Sequence, residues 1–260
     1  MARTSLHRAD RVSAILEVLS ADGSVSVGEL SRSFGVSAAT LRRDLQMLEE
    51  QRLLNRTHGG AVAQDVAYEL PVRYRGGQQR QQKQQIAKAV AARVPHEPLV
   101  LGLTGGTTTS EVARLLAERS SLTVVTNALN IAAELALRPK LKLVVTGGVA
   151  RPHSYELVGP WAERTLSSVI IGLAVVGVDG ISAREGLTTH DEVEAHTNQA
   201  LISRARRVIV AADGSKVGRA LLARIAPVED IDELVTDHSA DPVAVTALRE
   251  AGVTVVFADE

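Results

Sequence analysis

Three short stretches near the start of the chain carry apolar residues at helical spacing. The first begins at residue 10 and the second at residue 27, and in both the apolar side chains recur every three or four positions. Gly35 follows as a residue suited to the left-handed conformation of a tight turn. Ser37 can cap a third helix, whose apolar positions are Leu41, Leu45 and Leu48. The pattern predicts two helices, a tight turn and a third helix.

A compact ribbon follows the third helix. Two short stretches, 53–56 and 61–63, flank a turn that contains Gly59 and Gly60. Helices followed by such a hairpin predict a winged helix-turn-helix domain over residues 1–64. Residues 65–85 predict a linker or the solvated start of a helix, because the glutamine-rich run 78–85 has no apolar face.

The remainder, residues 86–260, alternates apolar, β-branched segments with segments of helical periodicity. Strands of this kind, spaced by helices, are typical of a parallel sheet that is buried on both faces. We therefore predict an α/β fold for this second domain, a doubly wound and mainly parallel sheet. The strands are predicted at residues 99–103, 122–126, 141–146, 174–178, 208–212, 234–236 and 253–257.

Composition narrows the functional classes. The chain has no cysteine, which excludes disulfides, thiolate zinc sites and a cysteine nucleophile. Aromatic residues make up 2% of the chain, too few for a protein that binds single strands by stacking bases on exposed rings. Because no apolar run is long enough for a membrane span and the first residues lack a signal peptide's apolar core, we expect a cytoplasmic protein with no membrane partner.

Charge alone does not indicate a nucleic-acid binder, since the net charge is −1 and the basic excess in the first 85 residues is small. The position of the charges is more informative. On the third predicted helix, the face opposite the leucines carries Arg43 and is flanked by Arg42. An arginine near a helix N-terminus can pair with both acceptors of a guanine in the major groove.

Hydroxyl side chains beside these arginines suit contacts to phosphates, and the ribbon glycines allow a backbone to approach DNA. The simpler alternative is a helix that only packs within an all-helical module and leaves both arginines in solvent. Because the turn, the capped helix, the arginine pair and the ribbon occur together, we favour DNA binding. The predicted DNA-binding residues are Ser37, Ala39, Thr40, Arg42, Arg43, Gln46, Arg56, His58 and Gly59.

A second motif follows the strand predicted at residues 99–103. Gly105 and Gly106 precede Thr107, Thr108 and Thr109 at the start of a helix. This order brings free backbone N–H groups and the positive end of a helix dipole to one point, where anions bind. The spacing matches neither a Walker loop nor a Rossmann fingerprint, so we predict no dinucleotide cofactor and expect a single phosphate on a small ligand.

Further polar residues lie at the carboxyl ends of other predicted strands, where ligands bind in open α/β sheets. Lys216 can neutralise a phosphate, Asp179 or Asp213 can accept hydrogen bonds from sugar hydroxyls, and Glu194 begins a helix that can face the same crevice. Each has a simpler alternative in a turn or a helix cap, but several clusters at one sheet edge favour a shared ligand site. The other candidates are Thr126, Asn127, Gly147 and Gly148.

The histidines do not indicate a metal site. His190 and His196 lie near three acidic residues, but their spacing differs from that of a zinc-binding helix. We interpret both as surface residues and predict no metal and no other cofactor.

Together these motifs resemble the DeoR family of transcriptional regulators. The run from Val36 to Leu45, followed by Arg56 to Ala61, is similar to that family's DNA-binding signature. The second domain resembles the family's effector domain, which is related to ribose-5-phosphate isomerase and other sugar-phosphate-binding folds. Its matching segments are 106–108, 125–127, 147–148, 158–159, 177–181 and 213–216.

Two positions depart from the family pattern. Thr104 stands where the family often has an aspartate, and Gly172 and Val175 stand where the family commonly has Asp and Phe. We expect the phosphate site to be retained and the recognition of sugar hydroxyls to differ.

The resemblance implies a repressor of a carbohydrate uptake or catabolism operon, whose binding to double-stranded operator DNA is controlled by a phosphorylated sugar. Residues 86–260 would form the sugar-phosphate-binding effector domain. One winged module contacts too few base pairs for useful specificity, so we expect a homo-oligomer, either a dimer or a tetramer.

Two other functions stay open at this point. A sugar-phosphate isomerase with an attached DNA-binding module would need a general base, for which Asp179, Asp213 and Glu194 are candidates. The loss of acidic character at Thr104 and Gly172 argues against it, and we predict no catalytic residues. A structural DNA-binding protein is disfavoured because the chain is nearly neutral.

Overall fold

Helices around a small antiparallel sheet form the first part of the chain. The computed structural model describes residues 8–51, 53–63, 69–77 and 79–259, and the chain divides into two compact units, Met1–Gln78 and Gln79–Glu260. The described elements of the first unit are α1 (Arg8–Asp22), β1 (Ser24–Ser26), α2 (Val27–Phe34), α3 (Ala38–Glu50), β2 (Asn55–Arg56), β3 (Gly60–Val62) and α4 (Val72–Arg75).

A leucine-rich core joins α1 to α3. Leu41, Leu45 and Leu48 form the buried face of α3 and belong to one apolar cluster with Ile15 and Leu16 of α1. All five side chains are almost completely removed from solvent, so their burial is a main source of stability for this unit. The apolar spacing in the sequence is confirmed as the core of the winged helix-turn-helix.

Turn residues set the ends of α2 and α3 as predicted. Gly35 ends α2 in the left-handed region, at φ 66°, and Ser37 accepts a hydrogen bond from the backbone N–H of Thr40 (3.2 Å) at the start of α3. One strand is additional, because β1 pairs with β3 and gives the sheet order β1-β3-β2. The pattern predicts only a break there, since three residues that include two serines carry a weak strand signal.

A buried ion pair also connects α1 to α3. Arg11 Nε lies 2.6 Å from Asp44 Oδ2, and the side chains are 9% and 4% exposed. A buried carboxylate tolerates loss of solvent only when it keeps such a partner. The pair therefore constrains how α3 is rotated against α1, and with it which residues of α3 face solvent.

The second unit alternates strands and helices. Its described elements are α5 (Arg80–Arg93), β4 (Leu99–Leu103), α6 (Thr107–Leu116), β5 (Leu122–Thr126), α7 (Leu129–Leu135), β6 (Lys142–Val145), β7 (Val149–Arg151), β8 (Glu156–Val158), α8 (Pro160–Ser167), β9 (Leu173–Val176), β10 (Gly180–Ser182), β11 (Gly186–Thr189), α9 (Glu192–Ile202), β12 (Val208–Ala211), β13 (Ala223–Ala226), β14 (Glu233–Thr236), α10 (Pro242–Glu250) and β15 (Thr254–Phe257). Among the described residues, no helix is both long and apolar enough to cross a membrane.

Seven strands form one sheet in the order β15-β14-β12-β9-β4-β5-β6, and all neighbouring pairs are parallel. The central strands β9 and β12 are buried along their whole length, and an apolar cluster covers each face of the sheet. The chain builds outwards from β4 through β5 and β6, then returns to the other side of β4 at β9. This confirms the predicted doubly wound fold and puts its switch point between β4 and β9.

The second unit departs from the sequence prediction in its small elements, whereas its start fits the second of the two alternatives for the glutamine-rich run, the solvated start of a helix. α5 begins at Arg80, within the glutamine-rich run, because Gln, Lys and Arg are good helix formers and Ile86 and Val90 anchor the helix further along. The hairpin β7–β8, the sheet β10-β11-β13 and helix α8 are additional. The strands among them have only three or four residues, which leave little periodicity in the sequence. The domain limits 1–64, 65–85 and 86–260 stay a prediction, and residues 64–68 and 78 lie outside the described residues.

Helices α5 and α6 lie side by side, with their C-terminal ends joined. The guanidinium of Arg119, which follows α6, donates to the carbonyl oxygens of Val94 (2.8 Å) and Ala91 (3.1 Å) at the end of α5. Arg93 bonds to Glu233 at the start of β14. The C-terminal end of α5 therefore lies at the amino-terminal edge of the sheet.

Replacing Gly60 tests the packing of the hairpin. A Cβ at Gly60 would overlap the carbonyl oxygen of Val25 in β1, whereas a Cβ at Gly59 meets no atom within 4 Å. We expect Gly60→Ala to lower the free energy of unfolding of the first unit by about 1–3 kcal/mol, and Gly59→Ala to change it by less than about 0.5 kcal/mol. Hydrogen exchange of the β1 and β3 amides measures the difference. Equal protection in the two variants would contradict this packing.

Candidate functional site

One face of α3 is open to solvent. It lies opposite the buried leucines of the helix, and the hydroxyl of Ser37 at its start lies 2.9 Å from the hydroxyl of Thr40. The exposed predicted residues of this segment are Ser37, Ala39, Arg42, Arg43 and Gln46, with Thr40 half-buried beside them. The face has the composition that a major-groove helix needs.

Acidic residues of α3 hold two of the predicted side chains. Gln46 Nε2 donates to Glu50 Oε1 (3.1 Å). The backbone N–H of Arg56 donates to Glu49 Oε1 (3.0 Å), and the Arg56 guanidinium lies 3.7 Å from the same carboxylate. Both side chains are exposed, so Gln46 and Arg56 keep further hydrogen-bond donors for another partner beside these internal contacts.

The tip of the hairpin is exposed, with one exception. His58 and Gly59 are open to solvent. Gly60 is buried against the backbone of Val25, so this glycine serves the packing of β3 on β1. Of the two ribbon glycines, Gly59 is the one that leaves room for an approaching backbone.

The glycine loop lies at the switch point of the sheet. Thr104 Oγ1 accepts a hydrogen bond from the backbone N–H of Gly177 (2.9 Å), which joins the carboxyl ends of β4 and β9. Gly106, at φ 128°, precedes α6, and the hydroxyls of Thr109 and Ser110 donate to its carbonyl oxygen (3.0 and 2.6 Å). Because the first N–H groups of a helix have no partner within it, the loop offers donors and a positive dipole end to an anion.

A buried carboxylate lies against this loop. Glu156, the first residue of β8, accepts a hydrogen bond from the backbone N–H of Gly105 through Oε1 (2.6 Å) and is 3% exposed. A Cβ at Gly105 would overlap this carboxylate, so the contact requires glycine. Burial, reinforced by the nearby carboxylates of Glu194 and Asp179, raises the pKa of Glu156 well above its ordinary value.

Two amides extend from Glu156 into the interior. Asn198 Nδ2 of α9 donates to Glu156 Oε2 (3.1 Å), and Asn127 Nδ2, which follows β5, donates to Asn198 Oδ1 (3.0 Å). Asn127 Oδ1 is buried and has no hydrogen-bond partner. The predicted residues Gly105 and Asn127 are thus connected through Glu156 and Asn198, which sequence reasoning missed.

A second polar cluster surrounds Asp179 at the carboxyl end of β9. Lys216 Nζ lies 3.9 Å from Asp179 Oδ1, and His190 Nε2 lies 4.0 Å from Asp179 Oδ2. The Thr189 hydroxyl lies 3.2 Å from Asp179 Oδ2 and 2.6 Å from Glu194 Oε1. Three predicted residues, Asp179, Glu194 and Lys216, therefore converge on one cluster.

Arg151 balances the acids on the other side of Glu194. Its Nη1 donates to Glu194 Oε2 (3.2 Å), and its Nε lies 3.0 Å from Asp191 Oδ2. Burial raises the pKa of Glu194, although hydrogen bonds from Thr189 and Ser154 and the charge of Arg151 stabilise its carboxylate. Burial alone would raise the pKa of Asp191 as well, but hydrogen bonds from the Glu194 backbone and from Arg151 lower it overall. Acceptors for hydroxyls and positive charge for an anion thus lie side by side.

Other predicted residues of the crevice have structural contacts. The Thr126 hydroxyl donates to the carbonyl oxygen of Leu103 (2.8 Å) and accepts from the N–H of Ala128 (3.0 Å). Gly147 and Gly148 have φ values of 72° and 124°, and a Cβ at Gly148 would lie 2.8 Å from the carbonyl oxygen of Val158. These contacts favour the simpler turn and packing alternatives at these three positions. The remaining loop residues, Thr107 and Thr108, lie in the first turn of α6.

The interpretation of His190 as a surface residue is wrong. Its side chain is 19% exposed and lies beside Asp179, because β11 ends next to the loop that follows β9. His196 is exposed on α9, as expected. In the described part of the chain, no three histidine or acidic side chains are grouped so that they could hold a metal ion.

The missed residues left identifiable traces in the sequence. The missed Asn198 lies four positions after the predicted Glu194 on α9 and therefore shares its helix face, and the apolar residues Leu201 and Ile202 on that helix are buried. Polar residues on a buried face are typical of a hydrogen-bonded network. Glu156 gives a weaker signal, as a single acid that opens a short apolar strand.

Two family models match the chain. Residues 11–66 match a DeoR-like helix-turn-helix domain, and residues 78–238 match the DeoR C terminal sensor domain. The chain belongs to the DeoR family. This DeoR-family protein is a transcriptional regulator with a helix-turn-helix domain and a sensor domain.

Curated relatives of this DeoR-family protein match over most of their length. The HTH-type transcriptional regulator GlpR of Haloferax volcanii is 36% identical over 95% of this chain and 97% of its own. The glycerol-3-phosphate regulon repressor of Escherichia coli K12 is 32% identical over 92% and 94%, and the transcriptional repressor AccR of Agrobacterium fabrum is 36% identical over 88% and 89%. These proteins are regulators rather than enzymes, so the isomerase alternative has no support among them.

Solved structures overlap with the DeoR-family chain less closely. Ribose 5-phosphate isomerase A from Methanocaldococcus jannaschii aligns with a TM-score of 0.40 and 18% identity over 55% of each chain. The full-length sorbitol operon regulator SorC from Klebsiella pneumoniae aligns with a TM-score of 0.35 and 13% identity over 84% of this chain and 97% of its own. Overlaps of this size support no conclusion about the ligand.

The raised pKa values of Glu156 and Glu194 predict a pH-dependent stability. A carboxyl whose pKa is higher in the folded than in the unfolded state retains its proton on folding. Its stabilising contribution is therefore complete below the unfolded pKa and is lost as the pH rises through the folded pKa, by up to about 1.4 kcal/mol per pH unit for each group. Urea unfolding at a series of pH values measures this effect. We expect the free energy of unfolding of Glu156→Gln to fall less steeply with rising pH than that of the wild type. Glu118→Gln, which changes an exposed side chain, is the matched control. Parallel curves for all three proteins would contradict the expectation.

Proposed function

We propose that this regulator represses a carbohydrate uptake or catabolism operon and that a phosphorylated sugar controls its binding to operator DNA. The observation that carries the proposal is the glycine loop at the N-terminus of α6, beside clustered hydroxyl, carboxyl and ammonium groups. The N–H groups of the glycine loop suit a phosphate, and the carboxylates of the cluster suit sugar hydroxyls, which need acceptors. The name of the glycerol-3-phosphate regulon repressor, one of the relatives, is consistent with a phosphorylated ligand.

The exposed face of α3 is the proposed reader of the operator. Arg43 lies on the solvent side near the start of the helix, where its guanidinium can donate to guanine O6 and N7. Arg42, Ser37 and Thr40 flank it and suit phosphate oxygens, which position the helix without reading the sequence. His58 at the hairpin tip extends the contact beyond the groove.

We further propose that the protein binds its operator as a dimer or tetramer. A single winged module contacts only a few base pairs, whereas two modules on half-sites one helical turn apart supply the specificity that an operator requires. The stoichiometry of the DNA complex, measured by analytical ultracentrifugation, tests this point. One chain per operator at saturation would contradict it.

A pair of arginine variants tests the reading helix. We expect Arg43→Ala to weaken binding to operator fragments, selected from genomic DNA with the wild-type protein, by about 10- to 100-fold, because one bidentate base contact is lost. Arg42→Ala should weaken binding to operator and to unrelated DNA by similar factors, because a phosphate contact carries no sequence information. Fluorescence anisotropy at fixed salt measures both. Unchanged discrimination between the two DNAs in Arg43→Ala would contradict the assignment.

The proposed effector binds with its phosphate on the glycine loop and its hydroxyls on the acidic cluster. Lys216 supplies a positive charge at the far side of Asp179, and Asp179 and Glu194 provide acceptors. The ligand can control DNA binding only through a different affinity for the two states of the protein. A phosphorylated sugar that binds the DNA-free state more tightly would release the repressor.

A thermal-shift screen of phosphorylated and unphosphorylated sugars tests the crevice. At about 100 times its dissociation constant, a ligand should stabilise the second unit by about 2.7 kcal/mol. We expect phosphorylated sugars alone to raise the melting temperature, and Lys216→Ala to reduce the effect. Lys140→Ala, which removes an exposed lysine, is the matched control. Shifts produced equally by unphosphorylated sugars would contradict a phosphate-dependent site.

A further inference from the structure

Glu156 is held rigidly against the loop that the proposed effector would occupy. The residues before and after Glu156 are both bonded to the segment that follows β5. Leu157 N–H donates to the Asn127 carbonyl oxygen (2.7 Å), and Leu129 N–H donates to the Tyr155 carbonyl oxygen (2.9 Å). Tyr155 itself has φ 60°, a backbone conformation that residues other than glycine rarely adopt. With its backbone fixed in this way, the carboxylate stays beside Gly105.

No positive side chain compensates this carboxylate directly. Its hydrogen bonds come from a backbone N–H and from the Asn198 amide, and within the described ranges no Lys, Arg or His nitrogen is found within 4 Å of it. On the neighbouring strand, Arg151 is its register partner but bonds to Asp191 and Glu194. An anion on the glycine loop would therefore add negative charge next to an uncompensated one.

The other ionisable groups around Glu156 make this conflict stronger. Glu194 of α9 and Asp179 of the loop after β9 both act on it as like charges. The cations beyond them are already engaged with these acids, since Lys216 and His190 face Asp179. The charge that an incoming anion meets is therefore set to a large extent by whether Glu156 carries its proton.

We propose that Glu156 is a proton-linked gate for the glycine loop, so that an anionic effector group binds together with one proton taken from solvent onto the Glu156 carboxylate. This inference rests on the proposed function, because it assumes that the loop binds an anion. The proton balance is simple: a carboxylate and a solvent proton become a carboxylic acid, and no other bond changes. Effector affinity then decreases as the pH rises.

The amides behind Glu156 can form hydrogen bonds with its protonated, neutral carboxyl group as well. A carboxylic acid needs an acceptor for its O–H, and Asn198 provides its Oδ1 when its amide rotates by half a turn. The rotated Asn198 then donates to Asn127, whose unpartnered Oδ1 becomes the acceptor once that amide rotates as well. The same reversal accommodates the amide of a glutamine, which makes Glu156→Gln a conservative mimic of the protonated state.

The experiment uses sulfate as the probe, because the charge of this anion is constant over the range tested. Isothermal titration of the full chain from about pH 5 to pH 8 gives the dissociation constant at each pH. For the wild type we expect the constant to increase, by at most about tenfold per pH unit. For Glu156→Gln we expect sulfate to bind more tightly than to the wild type at the upper end of the pH range. We also expect its dissociation constant to change less with pH. Glu118→Gln, with an exposed side chain at the other end of α6, should follow the wild type.

The outcomes separate this inference from the function on which it rests. His190 also lies near the site, but it is unchanged in the glutamine variant, so the difference between the two profiles isolates Glu156. Sulfate binding with the same pH profile in the wild type and in Glu156→Gln overturns the proton-linked gate and leaves the anion loop intact. Absence of sulfate binding by every variant at every pH overturns the anion loop itself, and the gate with it.

Discussion

The hydrogen bond between the Gly105 N–H and the Glu156 carboxylate is the contact on which the geometry of the crevice depends. It joins the loop after β4 to β8, and Asn198 extends the connection to α9. Each partner constrains the other, because only glycine leaves room for the carboxylate and a buried carboxylate needs a donor. The loop after β4, the start of β8 and α9 are therefore connected through one buried hydrogen-bonded network.

The features that the sequence predicts are those set by local patterns. The seven strands of the sheet follow from apolar, β-branched runs, and the buried face of α3 follows from leucines at helical spacing. The glycine loop is also visible in the sequence, because it consists of consecutive residues after a predicted strand. These elements were sufficient to predict the fold class, and the anion site at the glycine loop stays a prediction.

The features that the sequence does not predict depend on contacts between distant residues. Glu156 lies 51 positions from Gly105, and Arg11 lies 33 positions from Asp44, so neither pairing leaves a local signal. His190 was misjudged for a related reason, since its burial depends on where β11 ends relative to β9. The sequence left the start of α5 open between a linker and a helix, because a fully polar first turn has good helix propensity but no apolar pattern.

The bonds from Arg119 to the end of α5 also fix where the first helix of the second unit begins. With 14 residues, α5 is about 20 Å long, and its last turn is fixed at the amino-terminal edge of the sheet. Its first turn therefore reaches the carboxyl edge, the side on which the glycine loop also opens. The first helix of the second unit therefore begins at the same edge of the sheet as the glycine loop, and the thickness of the sheet does not separate the two.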